Sequence, residues 1–406
     1  MLTLTRSIST SRALVSPFVR RRYLSTSSVY SWGTGNDGQL GVYFVQGGKT
    51  TSFSVPTPQN VVGLNGKNVV DVSCGINHSA AVTESGQVYT WGKNNYGQLG
   101  LGDDVDGESM MIFPELVEGL KGVKITSVSC GHFHTAALSD DGHVFTWGWG
   151  GSWMNGAGAL GQGDKKSRSE PQLVEALVDD GVVVKEIDCG KAHMLARSED
   201  GTVWSWGKGE YGRLGNGGSS DQLLPEPVDL LLDIGACTQL ACGSSFSLAL
   251  MEDGKIFAWG RNEQGQLGIG GSMSMDVYAM EDFPVEIEGD LNGKEVLSVS
   301  AGFGQALATT ADGELYQWGM GQWLAPRLVL FEDGKPRVVD ADCGEKFNVA
   351  VTDDGEVYSW GKGFFQKAAL GHDNQKTQKF PARIGGIQEN VAGVSCGQKH
   401  TIVVTK

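Results

Sequence analysis

The chain has 406 residues, of which 60 are glycine and only 11 proline. That is roughly twice the usual glycine share without a proline excess, which excludes collagen-like and disordered-linker compositions. With 40% apolar residues it can bury a sizeable core, and no run of 18 apolar residues is present to form a membrane-spanning helix.

Charge is unevenly placed along the chain. Residues 1–28 contain five arginines (Arg6, Arg12, Arg20, Arg21 and Arg22), no lysine and no acid, so the remainder carries 27 basic against 47 acidic residues, a net of −20. A body of that sign repels nucleic-acid phosphates and argues against direct nucleic-acid binding. It favours a basic partner, or one gripped at a local patch.

The first 28 residues interleave arginine, serine and threonine with Leu2, Leu4, Ile8, Leu14, Val15, Phe18 and Val19. A positive, acid-free amphipathic segment of this kind reads as a mitochondrial transit peptide, with Arg22-Tyr23-Leu24-Ser25 as its processing site. The expectation is therefore a matrix protein, or one at the matrix face of the inner membrane, whose folded domain spans 29–406.

From residue 29 onward the chain repeats. Trp-Gly pairs begin at Trp32, Trp91, Trp147, Trp206, Trp259, Trp318 and Trp360, spaced by 59, 56, 59, 53, 59 and 42 residues. A small residue followed by glycine recurs at Cys74, Cys130, Cys189, Cys242, Ala301, Cys343 and Cys396, and each of the first six lies 17 residues before the next of these tryptophans. A constant core with variable connections marks one repeated supersecondary unit.

Within each core an apolar run, a turn and a second apolar run follow one another. The turn glycine recurs as Gly86, Gly142, Gly201, Gly254, Gly313 and Gly355, usually after aspartate, which predicts a two-residue hairpin loop. Pro56, Pro114, Pro171, Pro227, Pro284, Pro326 and Pro381 recur upstream of the small-Gly mark and fit edge strands, because proline lacks a ladder donor. Four short strands per unit give an all-β fold, a seven-bladed β-propeller. Cys, Ala and Gly would crowd around its axis, and the tryptophans would fill the space between blades. Six of the seven cysteines fall at one repeated position and read as small buried hydrophobes. Equivalent strands of separate blades are too far apart for disulfides.

The last unit stops at Thr405-Lys406 without its Trp-Gly strand, and Val29-Tyr30-Ser31-Trp32-Gly33 supplies a strand with no partner before it. The two ends are expected to pair in one shared blade and close the ring, removing exposed sheet edges.

The unit small-Gly-x-x-His-Thr/Ser, Asp-Gly-x-Val-Tyr/Phe-x-Trp-Gly, then Gly-Gln-Leu-Gly resembles the repeat of the regulator of chromosome condensation family. Copies of its tail stand at Gly38–Gly41, Gly97–Gly100, Gly212–Gly215 and Gly265–Gly268. The resemblance covers residues 29–406. The unit after Trp147 departs by an insertion (Gly148 to Ala157), and the unit after Trp318 lacks Gly-Gln-Leu-Gly. Members include a nuclear guanine-nucleotide exchange factor for the GTPase Ran, a plant ultraviolet-B photoreceptor, and mitochondrial proteins linked to RNA maturation and to ribosome or respiratory-complex assembly. The resemblance implies a mitochondrial interaction scaffold for such factors, or alternatively an exchange factor for a mitochondrial or Ran-like GTPase.

Candidate site residues are few. His78, His134, His193 and His400 recur at one repeated position, so they read as structural struts. No Ser-His-Asp set, phosphate loop or clustered zinc ligands occur, and no catalytic residue, cofactor or metal is expected. The family's photoreceptor places tryptophan directly after the glycine of the small-Gly loop. Here those slots hold Ile76, His132, Lys191, Ser244, Phe303, Glu345 and Gln398, which excludes that chemistry. In the exchange factor an aspartate of such a loop faces the GTPase. His132 stands in the slot of the best-matching loop, and Glu345 is the sole acid in any of the seven. Exchange also needs a wedge that displaces nucleotide. Trp149, Trp153 and Met154 of the insertion are candidate partner contacts, or fold back over their blade. Asp103–Glu108 reads as a solvated acidic turn, and Met273, Met275, Met280 and Phe283 as an adaptable apolar stretch.

Overall fold

The structure is a computed structural model, and it describes residues 27–46, 49–51, 53–102, 110–152, 154, 156–271, 279–332, 334–362, 369–373 and 376–406. Residues 1–26 of the expected transit segment 1–28, the acidic turn at 103–108, Trp153, Met273 and Met275 lie outside them.

Seven four-stranded antiparallel sheets account for the body. In chain order, the innermost strands of blades 1 to 7 are Val69–Cys74, Ile125–Cys130, Val184–Cys189, Cys237–Cys242, Val296–Ala301, Val338–Cys343 and Val391–Cys396. These strands neighbour one another in a closed cycle, the seventh meeting the first. Each small-Gly mark thus ends an axial strand, where seven backbones converge and only small side chains fit. All seven prolines of the repeat lie in outermost strands, such as Met110–Leu116 and Gln378–Arg383, where a missing donor costs no ladder bond.

Blade 7 takes its strands from both termini, in the order Val391–Cys396, His400–Thr405, Val29–Gly33, Val55–Asn60. Val29 pairs with Val404 and Gly33 with His400. The ring therefore closes by the strand exchange expected from the sequence.

The hairpin turns differ from expectation. In blade 2 the Ser139 N–H donates to His143 O, leaving the three residues 140–142 as the loop. Gly142 has φ +90°, whereas Asp141 is not left-handed. A tight turn completed by one left-handed residue needs a single glycine, so the Asp-Gly signature marks a three-residue loop here rather than the expected two-residue one.

The tryptophans carry a second role besides filling space. Trp91, Trp147, Trp259 and Trp318 donate their indole N–H to the carbonyl of Gln39, Gln98, Arg213 and Gln266 in the preceding blade, at 2.9–3.0 Å. Trp32 and Trp206 do the same to Ala369 and Ala159. The Gly-Gln-Leu-Gly tail exists to present that carbonyl. Its last glycine must be left-handed and bare: at Gly100 (φ +71°) an added Cβ would lie 2.7 Å from the Trp147 indole nitrogen. Blade 5 lacks the tail because three residues, 320–322, connect its last two strands. There Trp360 donates to the Gln317 side chain instead, at 2.8 Å.

Axial strands of adjacent blades exchange no ladder bonds, so their edge N–H groups need other acceptors. Side chains supply them around the ring. The N–H of Cys130, Cys189, Cys242, Val299, Cys396 and Cys74 donates to Ser73, Ser129, Asp188, Gln239, Asp342 and Ser395 respectively, always across a blade boundary. Between blades 5 and 6 the Ser300 hydroxyl donates to Asp342. The cysteines are all free and buried. The Cys74, Cys189 and Cys242 thiols donate to the neighbouring strand's carbonyl at 3.3–3.4 Å, so these residues fasten blades as well as filling the axis.

Candidate functional site: the narrow rim of the ring

The axial channel opens to about 730 Å³ along the inner strands and narrows to about 80 Å³ at the small-Gly loops. Ile76, His132, Lys191, Ser244, Phe303, Glu345 and Gln398 surround that narrow mouth. The rim is rigid for a local reason. Gly131 packs under the ring of His134, and Gly75, Gly190 and Gly397 sit likewise under His78, His193 and His400, with no room for a Cβ. Gly243 and Gly344 lie under Phe246 and Phe347. The repeated histidine is therefore a ring that caps its own loop, and phenylalanine can replace it.

These histidines are buried and neutral. Burial pushes His78 down to about 4, and His134 and His400 down to about 3. His400, His78 and His193 face the hydroxyls of Ser79, Thr135 and Ser247 in the next blade at 2.9–3.0 Å. At the equivalent place beyond His134 the chain has Met194, and both ring nitrogens of His134 lack a hydrogen-bond partner.

His132 and Glu345 both reach the mouth, but from opposite sides: Lys191, Ser244 and Phe303 separate them one way round, Gln398 and Ile76 the other. They do not form one constellation. Burial, then the neighbouring Lys191 charge, hold the His132 imidazole well below its usual range. Its Nδ1 is buried without a partner.

The insertion of blade 2 forms a small hairpin, Gly151–Ser152 paired with Gly156–Ala157. It springs from the same rim, since the Trp149 N–H donates to Phe133 O at 2.8 Å. Trp149 is half-buried, whereas Met154 is 70% exposed. Thus Met154 projects to solvent, and Trp149 belongs mainly to the base. The Asp221 carboxylate fixes that base, accepting from the Ala157 N–H at 2.8 Å and from the Gly209 N–H of blade 3 at 3.1 Å.

Blades 3 and 4 add a group that sequence reasoning missed. Arg213 occupies the Gln place of Gly-Gln-Leu-Gly and is 1% exposed. Its guanidinium donates to Glu210 O at 2.7 Å and approaches the Glu210 carboxylate at 3.4 Å. It lies 5.7 Å from the Tyr211 ring, over which Arg261 also sits at 4.7 Å. Lys208 pairs with Glu210 at 2.8 Å and Arg261 with Glu263 at 2.5 Å. Lys191 is exposed and in no ion pair among the described residues. Only the exchange of Gln for Arg at 213 could have flagged this cluster in the sequence.

Among the described residues no group of three or more His, Cys, Asp or Glu side chains is placed to hold a metal, and no helix is long and apolar enough to cross a membrane.

Comparison with known proteins agrees with this architecture. The RCC1-like domain model matches residues 25–325, and models of the regulator of chromosome condensation (RCC1) repeat match 338–366 and 354–404. The ultraviolet-B receptor UVR8 of Arabidopsis thaliana is 34% identical over 297 residues, 73% of this chain. The human E3 ubiquitin-protein ligase HERC2 is 35% identical over 295 residues, 72% of this chain. The chain spans 62% of the receptor's length and 6% of the ligase's. The crystal structure of Prp20p from Saccharomyces cerevisiae, described with its binding to Gsp1p and histones, shares the fold with a TM-score of 0.81 at 23% identity, covering 94% of this chain and 92% of that one. The seven closed blades, the repeated rim loops and the domain match over most of the chain together place this protein in the RCC1-like domain family.

Proposed function

We propose that this protein is a mitochondrial interaction scaffold, serving the assembly or expression of mitochondrial complexes: the ribosome, RNA maturation or the respiratory chain. One observation carries the binding role. The narrow rim is a rigid ring of irregular residues, joined to a hairpin that holds Met154 out to solvent. A preformed surface spends little conformational entropy when a partner docks. The organelle rests on the arginine-rich, acid-free leader. The test is affinity purification of the tagged full chain from intact mitochondria with mass spectrometry. Enrichment of ribosomal, RNA-processing or respiratory-assembly proteins is expected, and a nuclear steady-state location would overturn the reading.

A second reading, guanine-nucleotide exchange on a mitochondrial or Ran-like GTPase, gains support from the same hairpin. Exchange needs a stiff element that displaces nucleotide, and the hairpin is anchored at its base by Asp221. Accelerated loss of labelled GDP from such a GTPase, at substoichiometric amounts of this protein, would favour exchange over scaffolding.

A further inference from the structure

We propose that the arc of Lys191, Lys208 and Arg261 on the narrow rim, continued by Met154 of the hairpin, docks an acidic segment of a partner protein that also carries a large apolar side chain. The inference rests on the scaffold reading and names the chemistry of its partner.

Local charge runs against the rest of the molecule. Among the described residues Lys208 and Arg213 share Glu210 as ion-pair partner, Arg261 pairs with Glu263 and Lys191 has none, with Asp221 the further acid acting on Arg213. Beyond residue 28 the chain as a whole carries 47 acids against 27 bases. A cationic island on an anionic body attracts anions only within about a Debye length, ~8 Å at physiological salt.

The island is built rather than incidental. Where three other tails carry Gln39, Gln98 and Gln266, this one carries Arg213. The carbonyl there accepts from Trp259 and from the Ser247 hydroxyl, but where the glutamine side chains accept a loop N–H, the Arg213 guanidinium donates to the Glu210 carbonyl instead. Three other blades fill this place with a neutral glutamine, so the positive charge is particular to this blade, and burying it is costly. Tyr211, held at φ +67°, lays its ring beneath both Arg213 and Arg261. Although the Lys191 side chain is exposed, partial desolvation at the mouth lowers its ammonium's affinity for its proton; the charges of Arg213 and Lys208 add to this, Glu210 opposes it, and Arg261 adds a smaller push. A docked carboxylate would relieve that repulsion.

Arc and hairpin are continuous. Asp221 ties Ala157 of the hairpin to Gly209, the residue after Lys208. The hairpin that carries the exposed Met154 thus adjoins the cations at its base, which calls for an apolar side chain beside the acidic run. A short acidic peptide segment fits such an island. A long nucleic-acid strand would extend onto the acidic body, where repulsion opposes it.

The test is fluorescence anisotropy of the full chain with a short fluorescein-labelled peptide of glutamate and leucine. Binding that weakens with salt is expected, with a loss of about tenfold or more in a Lys191→Glu, Arg261→Glu double variant. Met154→Ala should weaken binding several-fold without altering the salt dependence. A Lys255→Glu, Lys294→Glu variant, altering cations paired elsewhere with Glu286 and Glu314, should bind as the parent does. Absence of peptide binding, or equal loss in both double variants, overturns the proposal. So does tighter binding of poly-uridine RNA through the same residues, or self-association in sedimentation that the arc variant abolishes. The two readings fail separately. Mitochondrial partners that co-purify equally with the arc variant sink the arc and leave the scaffold. Peptide binding at the arc without any mitochondrial partner does the reverse.

Discussion

Asp221 and Ala157 lie 64 residues apart, yet the carboxylate of the first accepts the N–H of the second at 2.8 Å, while its other oxygen takes the N–H of Gly209. One side chain of blade 3 thereby fixes the hairpin of blade 2. Asp221→Ala removes both acceptors at once. Amide hydrogen exchange at Ala157 and Gly209 should quicken by about tenfold or more, since each hydrogen bond to a charged acceptor contributes roughly 1.5–3 kcal/mol. The melting temperature should move by only a few degrees, because the hairpin is peripheral to the ring. Unchanged exchange at Ala157 would show that the hairpin is held by something else.

His134 and His78 occupy equivalent positions but differ in their partners. His78 meets the Thr135 hydroxyl at 2.9 Å, whereas both nitrogens of His134 are unbonded. Phenylalanine already caps the same glycine in blades 4 and 6. His134→Phe should therefore be neutral or stabilising, since it removes buried polar atoms that cost about 1–3 kcal/mol when unsatisfied. His78→Phe should cost about 1–2 kcal/mol for its lost hydrogen bond. Urea denaturation of the two variants side by side checks the contrast, and equal effects would refute it.

Trp360 depends on a side chain where its counterparts depend on backbone. Gln317→Leu keeps the volume and removes the acceptor at 2.8 Å, leaving the nearly buried indole N–H the Asn348 amide oxygen, which reaches it at 3.1 Å when the amide turns. A loss of about 0.5–1.5 kcal/mol is expected. Replacing Gln98, whose backbone carbonyl serves Trp147, by leucine should leave the equivalent indole bond intact. Near-ultraviolet tryptophan spectra of both variants separate a local change at Trp360 from general unfolding.

How far the sequence reveals this molecule depends on what repeats. The tryptophans, small-Gly marks and prolines recur seven times, so blade number, ring closure and the edge placement of proline follow from spacing alone. The turn is one residue longer than Asp-Gly predicts because that pair does not say how many positions must be left-handed, and of residues 140–142 only Gly142 is. The straps across the axis have no sequence signature because serine, aspartate and glutamine alternate as acceptors at Ser73, Asp188 and Gln239, with no fixed residue type to align. The cationic arc was invisible for a different reason. Lys191, Lys208 and Arg213 come from two separate loops of blade 3 and Arg261 from a strand end of blade 4, and a single departure from a repeat carries no spatial information until the ring is closed.

Acid should weaken this fold before it affects most of its carboxylates. In the native state His78 is pushed down to about 4 and His134 and His400 down to about 3, with His193 well below its ordinary range. The unfolded chain takes up these protons from about 6.5 downward. Between those limits the unfolded state binds more protons, so stability is full above about 6.5 and is lost as pH falls toward 4 and then 3. At about pH 5 the loss is on the order of 2 kcal/mol for each such histidine. Asp342 acts in the opposite sense. Burial pushes its carboxyl up to about 7, so its contribution is present below the usual carboxylate range and is lost as pH rises through about 7. Urea midpoints measured from about pH 8 to 4 should fall on the acid side. His78→Gln should flatten the acid limb by about one proton, because Gln305 shows that blade 5 holds glutamine at the same place. Asp342→Asn should leave the acid limb intact and raise the midpoint above neutrality. An acid limb no shallower after replacement of His78 and His400 together would assign it to carboxylates, not to the rings that cap the rim.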